Sequence, residues 1–381
     1  MNKKLTIAII VTLCLLIATT LFLVLRPSSQ PNEYRIGVVL CLTGRGATYG
    51  HRALNGMQLA VEELNNTKPF RSHPISLIVD DSQSSARQAL SAFRKLIDID
   101  RVTVAVGFVL SDEVLTCAPV ANERGIVLLS TAAGSDKIKD AGDYIFRNRE
   151  SATLQADAVA EACIHRYGTK EIAILHSNAA NGISYRDRFR DAIQRLGGSV
   201  IIAVGYNEGK TDYRAEIEQL RSKSPKAVYL AGLDNELGLI LKQSKEVGFF
   251  PQFFASAGAI SQKLLEIAGS GAEGLVCGSA PFNVGSKDPR IRHFVSAFKS
   301  RSGEAPDWIA ANSYDAIYIV AALYKEGTIN AEDIKAGLYA TRDFPGVGGR
   351  TTFDANGEVK KPIVLVVIRN GSFVPLQAER D

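Results

Sequence analysis

The chain has 381 residues, 46% of them hydrophobic and 22% charged, and its formal net charge is +4. That length allows two domains or one large one with a sizeable core, and the composition is that of an ordinary globular protein. Lys and Arg are scattered, with no basic run interleaved with aromatics, so nucleic acid is not expected as a partner.

The N-terminus is the exception to the globular pattern. Lys3 and Lys4 precede 21 uncharged residues, 5–25, and the run ends at Arg26-Pro27. A secretory h-region is usually only ~7–15 residues, whereas a membrane span needs roughly 20. No A-x-A-like cleavage site follows, so an uncleaved transmembrane signal anchor over residues 5–25 is expected. Lysines flanking a span stay cytoplasmic, which puts the remainder on the extracytoplasmic face of the cell membrane. Cys14 lies inside the run after Leu13, not after the small residue that lipoprotein processing prefers. Cys41, Cys117, Cys163 and Cys277 are far apart and show no metal spacing. Disulfides are allowed outside the cytoplasm, but spacing leaves the choice between pairing and free, buried thiols open.

After a short polar linker (27–33, PSSQPNE), strand and helix patterns alternate. The run YRIGVVLCL reads as a strand, and Ala53, Leu54, Met57, Ala60, Val61 and Leu64 follow at helical spacing. Strands are predicted at ISLIVDD, VTVAVG and GIVLLS, with helices over 87–99 and 112–124 between them. Beyond YIFRN the alternation restarts with a helix over 151–167. Strands EIAILH, SVIIAV, AVYLAG, QFFAS and GLVCGS then alternate with helices over 183–196, 212–222, 235–247 and 260–268. Helical patterns cover 288–302 and 308–325, and PIVLVVIRNGSFVPL reads as two strands joined at Asn370-Gly371. Alternation of this kind predicts an α/β fold of parallel sheets with helices on both faces. Two successive runs suggest two lobes.

In such sheets ligands bind beyond the C-terminal ends of the strands. The first such loop contains Gly44, Gly46 and Gly50, which raises the question of a nucleotide. A Walker loop needs Lys and then Ser or Thr after its last Gly, but His51 and Arg52 follow Gly50. The dinucleotide pattern is G-x-G-x-x-G, and this spacing is one residue too long, with Asp80 about 30 residues on instead of ~20. The other strand-end stretches of the first run, 107–111 and 130–135, bring small and hydroxyl residues to helix starts. Exposed N–H groups at helix starts there suit carboxylates without a basic side chain. An enzyme finds little support. No G-x-S-x-G occurs, His51, His73, His165, His176 and His293 form no metal spacing, and Asp80-Asp81 is explained by capping and solvation. No cofactor or metal is expected.

Leu42-Thr43-Gly44, Ala47-x-Tyr49-Gly50 and Gly56-x-x-x-Ala60-x-x-x-x-Asn65 together resemble the opening of the leucine/isoleucine/valine-binding proteins. These are type I periplasmic solute-binding proteins of ABC importers. VTVAVGFVLSDEV, GIVLLSTAAGSDKI, EIAILHSNAANGISYRDRFRDAIQRLGGSV, AVYLAGLDNELGLILKQSKEVGF and SYDAIYIVAAL continue the resemblance, which spans about residues 34–376. It implies two Rossmann-like lobes joined by three crossovers. These are 34–147 with 281–360, and 148–280 with 361–381. It also implies closure on a small-molecule solute, delivery to ABC permease subunits, and attachment to the membrane through the N-terminal helix. By position, Ser111, Ala132, Gly134 and Ser135 would hold a ligand carboxylate, and Tyr49 would contact the ligand.

Several positions depart from the family pattern. Cys41 replaces a Pro, Ser130-Thr131 a Ser-Pro, Gly134 a Thr that helps hold the amino acid, and Asn181 an aromatic before Gly182. Where amino-acid binders commonly place an acid to pair with the ammonium, this chain has Ser256-Ala257-Gly258. A buried ammonium without a counter-charge is costly. Asp234 is the nearest acid in a cleft-facing loop. The expected ligand is therefore a small carboxylate or another polar molecule, with amino acids still open. The alternative role is a sensing ectodomain that reports to a separate membrane partner.

Overall fold

The apolar runs become strands, the central ones buried on both faces, and most are followed by a helix that packs its apolar stripe on the sheet. A computed structural model describes residues 33–324 and 330–376. The predicted anchor over 5–25 lies outside these residues. Among the described residues no helix is long and apolar enough to cross a membrane.

The first sheet is built from β1 (Tyr34–Leu40), α1 (Ala47–Asn65), β2 (Ile75–Asp81), α2 (Ala86–Asp98), β3 (Val104–Gly107), α3 (Ser111–Arg124), β4 (Val127–Ser130) and β5 (Ile145–Arg147). Its order is β2-β1-β3-β4-β5, all parallel. Side chains alternate across β1: Ile36, Val38 and Leu40 face the core shared with α1, whereas Val39 faces that shared with α2 and α3. In α2 the buried residues Ala89, Phe93, Leu96 and Ile97 recur at the spacing of one helix face.

The chain then builds a second sheet with α4 (Ala152–Glu161), β6 (Glu171–Ser177), α5 (Ala180–Arg195), β7 (Ser199–Tyr206) and α6 (Arg214–Arg221). It continues through β8 (Ala227–Ala231), α7 (Asp234–Glu246), β9 (Gln252–Ala255), α8 (Gln262–Ala268) and β10 (Val276–Ser279). It returns to the first sheet with α9 (Pro289–Ser302), α10 (Trp308–Leu323), α11 (Ala331–Ala340) and the short strands β11 (Phe344–Gly346) and β12 (Gly349–Thr351). The antiparallel strands β13 (Val364–Arg369) and β14 (Ser372–Pro375) finish the second sheet, whose order is β14-β13-β10-β9-β8-β6-β7.

Gly56 marks where α1 and α10 cross, since a Cβ there would lie 2.3 Å from the Ala310 carbonyl oxygen. The chain passes between the sheets three times, and buried polar groups tie these passages together. Asn148 donates to the Ala-flanked Asn312 carbonyl at 3.0 Å and accepts from Lys361 Nζ at 3.1 Å and from the Thr351 hydroxyl at 3.1 Å. Burial lowers the Lys361 pKa, and burial raises that of nearby Asp315 to about 6.

Two helices differ from the sequence prediction, and the short strands β11 and β12 were not predicted. The helix expected over 151–167 ends as α4 at Glu161 and continues as a wide π-type turn over Ala162–Arg166. Helix α11 was not predicted, although Asn330 caps it through Asp333 N–H and Ala331, Ile334 and Leu338 form its buried stripe. Cys41, Cys117, Cys163 and Cys277 are all buried free thiols. Burial pushes the Cys117 and Cys163 thiols up to about 12, so they pack as small apolar groups.

Candidate functional site

In both sheets the strand order reverses beside the first strand, between β1 and β3 and between β6 and β8. A crevice opens at the C-terminal ends of strands at such a switch point. Here the two crevices face each other and enclose a cleft of about 450 Å³ including its mouth. The first sheet contributes Arg45, Tyr49, Val109, Leu110, Ser111, Asp112 and Ala132. The second contributes Ala179, Asn181, Glu208, Leu233 and Gly258, while Arg149 comes from the passage after β5 and Trp308 from the start of α10.

The Gly-rich loop after β1 has no vacancy for a phosphate. The Asp81 carboxylate accepts from Leu42 N–H at 2.9 Å, from Thr43 N–H at 3.3 Å and from the Thr43 hydroxyl at 2.7 Å. Burial opposes the charge of Asp81, but these bonds and one from Gln83 outweigh it and hold the carboxyl below its ordinary pKa. Asp80, its neighbour, is paired with Lys95 at 2.9 Å.

Contacts across the cleft hold the two halves together. The Tyr49 hydroxyl donates to Gly258 O at 2.6 Å and accepts from Asp234 N–H at 3.3 Å. Burial, then the Asp234 charge, push the Tyr49 pKa well up, so it stays a neutral donor. Arg45 pairs with Glu208 at the rim. Burial raises Glu208 to about 7 against the pull of Arg45, helped by the charges of Glu236 and Asp112. Arg188 Nε donates to Asp136 at 2.6 Å, and the Ser135 and Ser184 hydroxyls meet at 2.8 Å.

Of the residues singled out in the sequence, Tyr49, Ser111, Ala132 and Asn181 line the cleft. Gly134, Ser135, Asp234 and Ala257 do not. Gly134 lies just behind the lining, where a Cβ would come 2.7 Å from Asn181 Oδ1 and 2.8 Å from Arg149 Nη1. Ser135 is spent on structure: its N–H donates to Ser111 Oγ at 3.1 Å and its hydroxyl meets Ser184. Asp234 starts its helix, accepts from Asn235 N–H at 2.8 Å through one carboxylate oxygen, and lies near Ser261 and Arg52 with the other oxygen unpartnered. Ala257 N–H donates to Gln155 Oε1 at 3.3 Å. His176 is buried against the Ser177 carbonyl, and burial lowers its pKa.

Arg149 was not singled out in the sequence, because it follows β5 on a passage between sheets and not on a βα loop. Trp308 starts α10 and closes one wall, with its Nε1–H unpartnered. At the polar end, Ala132 N–H and Gly134 N–H have no partner among the described residues, and the Ser111 hydroxyl accepts a bond but donates none. This end therefore offers hydrogen-bond donors. Val109, Leu110, Leu233 and Trp308 offer apolar surface.

A family model described as "Periplasmic binding protein" matches residues 33–372. The chain belongs to that family. Its members are substrate-binding proteins. The chain is 25% identical over 335 residues to the leucine-, isoleucine-, valine-, threonine- and alanine-binding protein of Pseudomonas aeruginosa, covering 87% of this chain and 89% of that one. It is similar to the crystal structure of the leucine-binding protein LivK from Thermotoga maritima, with TM-score 0.84, 27% identity, and coverage of 90% and 97%. A solute-binding protein of Rhodopseudomonas palustris BisB5 in complex with 3,4-dihydroxybenzoic acid shares the fold, with TM-score 0.82, 20% identity, and coverage of 90% and 95%.

Proposed function

We propose that this protein is an extracytoplasmic solute-binding protein of an ABC importer. It captures a small carboxylate-bearing solute, an amino acid or related organic acid, and delivers it to permease subunits. In this reading residues 34–147 with 281–360 and residues 148–280 with 361–381 are two lobes that close like jaws, and residues 5–25 tether them to the cell membrane. The observation that carries it is the pair of unpartnered donors at Ser111 and Ala132, which line the same cleft that the Tyr49–Gly258 bond spans. A ligand held by both lobes stabilises the closed form only, and so drives closure. The named relatives support the reading: the Pseudomonas protein binds leucine, isoleucine, valine, threonine and alanine, and the LivK protein binds leucine.

The test is a solute titration of the purified chain with two readouts. Trp308 is the single tryptophan and lines the cleft, so a bound solute changes the protein's fluorescence. A solute at 100-fold its dissociation constant adds ~2.7 kcal/mol of stability, visible as a raised Tm. If amino acids, organic acids and sugars all leave both readouts unchanged, the reading fails. The tether has its own test: the full chain is expected in the membrane fraction, and a chain lacking residues 5–25 outside it.

A further inference from the structure

Arg149 is 3% exposed, lines the cleft, and has no carboxylate within ion-pair distance among the described residues. Its Nη1 donates to the Ala132 carbonyl at 2.7 Å, and its Nη2 donates to the Tyr185 hydroxyl at 2.8 Å. Tyr185 in turn donates to Gln155 Oε1 at 2.5 Å, which also accepts from Ala257 N–H. The guanidinium lies 5.0 Å from the centroid of the Trp308 ring. Its Nε, and the indole Nε1 of Trp308, are buried without a partner. Gly134 makes room for it, since a side chain there would run into Nη1.

We infer that the cleft is specific for organic acids that carry an apolar body and no amino group, and that Arg149 sets this specificity. The inference rests on the solute-binding reading above and names its substrate class. The first reason is charge. A buried guanidinium with no counter-ion is unfavourable until an anion joins it, and the other cleft arginine, Arg45, is already neutralised by Glu208. An ammonium in the same cleft would add repulsion. The second reason is the short supply of acceptors. Ala132 O is occupied by Arg149 and Gly258 O by Tyr49, which leaves Asn181 Oδ1 and the Asp112 carboxylate in the lining. Asp234, the acid best placed in the sequence to hold an ammonium, faces Ser261 and Arg52 away from the lining. The third reason is the surplus of donors: Arg149 Nε, Trp308 Nε1, Ser111 and the two free N–H groups suit a carboxylate. In effect Arg149 and the missing Thr side chain at Gly134 are one change, in which the protein supplies the cation that an amino acid would bring.

The experiment compares solutes that share a skeleton and differ in the amino group: 4-methylpentanoate against L-leucine, and 3-phenylpropanoate against L-phenylalanine. Affinities for the full-length purified chain are measured by calorimetry and Trp308 fluorescence. At least one acid is expected to bind at least ~100-fold more tightly than its amino acid partner. Arg149→Met is expected to weaken acid binding by about 100-fold or more, and Arg149→Lys, which keeps the charge, by about tenfold. An amino acid that binds wild type as tightly as its matched acid overturns the inference and leaves the solute-binding reading standing. So does acid binding unchanged in a folded Arg149→Met protein. If none of the four solutes and no member of the wider panel binds, the solute-binding reading itself falls and the inference falls with it.

Discussion

The two sheets present the same βα junction to the cleft with different side chains. In the first, α1 packs so tightly on the end of β1 that a Cβ on Gly50 would lie 2.1 Å from the Cys41 carbonyl oxygen. In the second, α5 repeats this on β6, and a Cβ on Gly182 would lie 2.4 Å from the Ser177 carbonyl oxygen. The residue before each glycine enters the cleft. Tyr49 reaches across to Gly258, while Asn181 stops short and makes no bond through its Oδ1. The next junctions also correspond. Glu113 and Glu236 each sit third in the helix after β3 or β8, nearly fully buried, and each accepts from a hydroxyl at the end of the strand two places away, Ser82 after β2 and Tyr206 in β7. The comparison teaches that close backbone packing fixes the shared frame, and that single side chains on it assign one sheet the latch and leave the other open beside Arg149.

Four measurements break or sharpen that comparison. The largest effect is expected for Gly50→Ala. Helix propensity alone favours Ala by about 1 kcal/mol, but the backbone clash should reverse the sign and cost about 2–3 kcal/mol. Gly182→Ala should behave likewise with a smaller loss. Urea unfolding that shows either variant more stable than wild type removes the argument for that junction.

The buried acids come next. Burial raises Glu113 from 4.5 to about 7, with the Ser82 hydrogen bond opposing. A carboxyl with a raised folded-state pKa contributes stability that is fully present below 4.5 and is lost as pH rises through about 7. Glu113→Gln should therefore flatten the fall in stability between pH 5 and pH 8, by on the order of 2 kcal/mol. Glu236, raised by burial, should show the same direction when changed to Gln. Denaturation midpoints at the two pH values decide, and an unchanged slope in both variants refutes the parallel.

Tyr49→Phe removes the two hydrogen bonds made by the hydroxyl across the cleft. Closure should weaken by about 1–2 kcal/mol, raising the dissociation constant of any bound solute roughly 5–30-fold. An unaltered constant means the latch plays no part in the bound state. The smallest effect belongs to Asn181→Ala, which loses no bond through Oδ1 and should alter affinity by less than about threefold. A loss as large as that of Tyr49→Phe would make the two junctions functional equals.

Much of this frame was legible in the chain because local rules govern it. The alternation of apolar runs with helical stripes marked both sheets, the rule that ligands sit beyond strand ends covered Ser111, Ala132 and Asn181, and the family resemblance pointed to Tyr49. The helix α11 carried a legible cap at Asn330, yet its stripe of Ala331, Ile334 and Leu338 is too short to stand out by periodicity. Ser135, Asp234 and Ala257 also stand at strand ends, but hydrogen bonds to Ser184, Asn235 and Gln155 use their polar groups elsewhere. Those partners lie too far along the chain, or in too many rotamers, for spacing to reveal.

The sequence by itself determined the fold class, the family and the line of residues along each sheet edge, since burial periodicity and βα punctuation are properties of neighbouring residues. It also registered the missing acid at Ala257 and the missing Thr at Gly134. Only the tertiary structure decided what takes their place. Arg149 enters the cleft because the passage after β5 crosses from one sheet to the other, and Gly134 leaves the volume its guanidinium fills. Such a juxtaposition is set by how two sheets pack, a long-range property that no local pattern encodes.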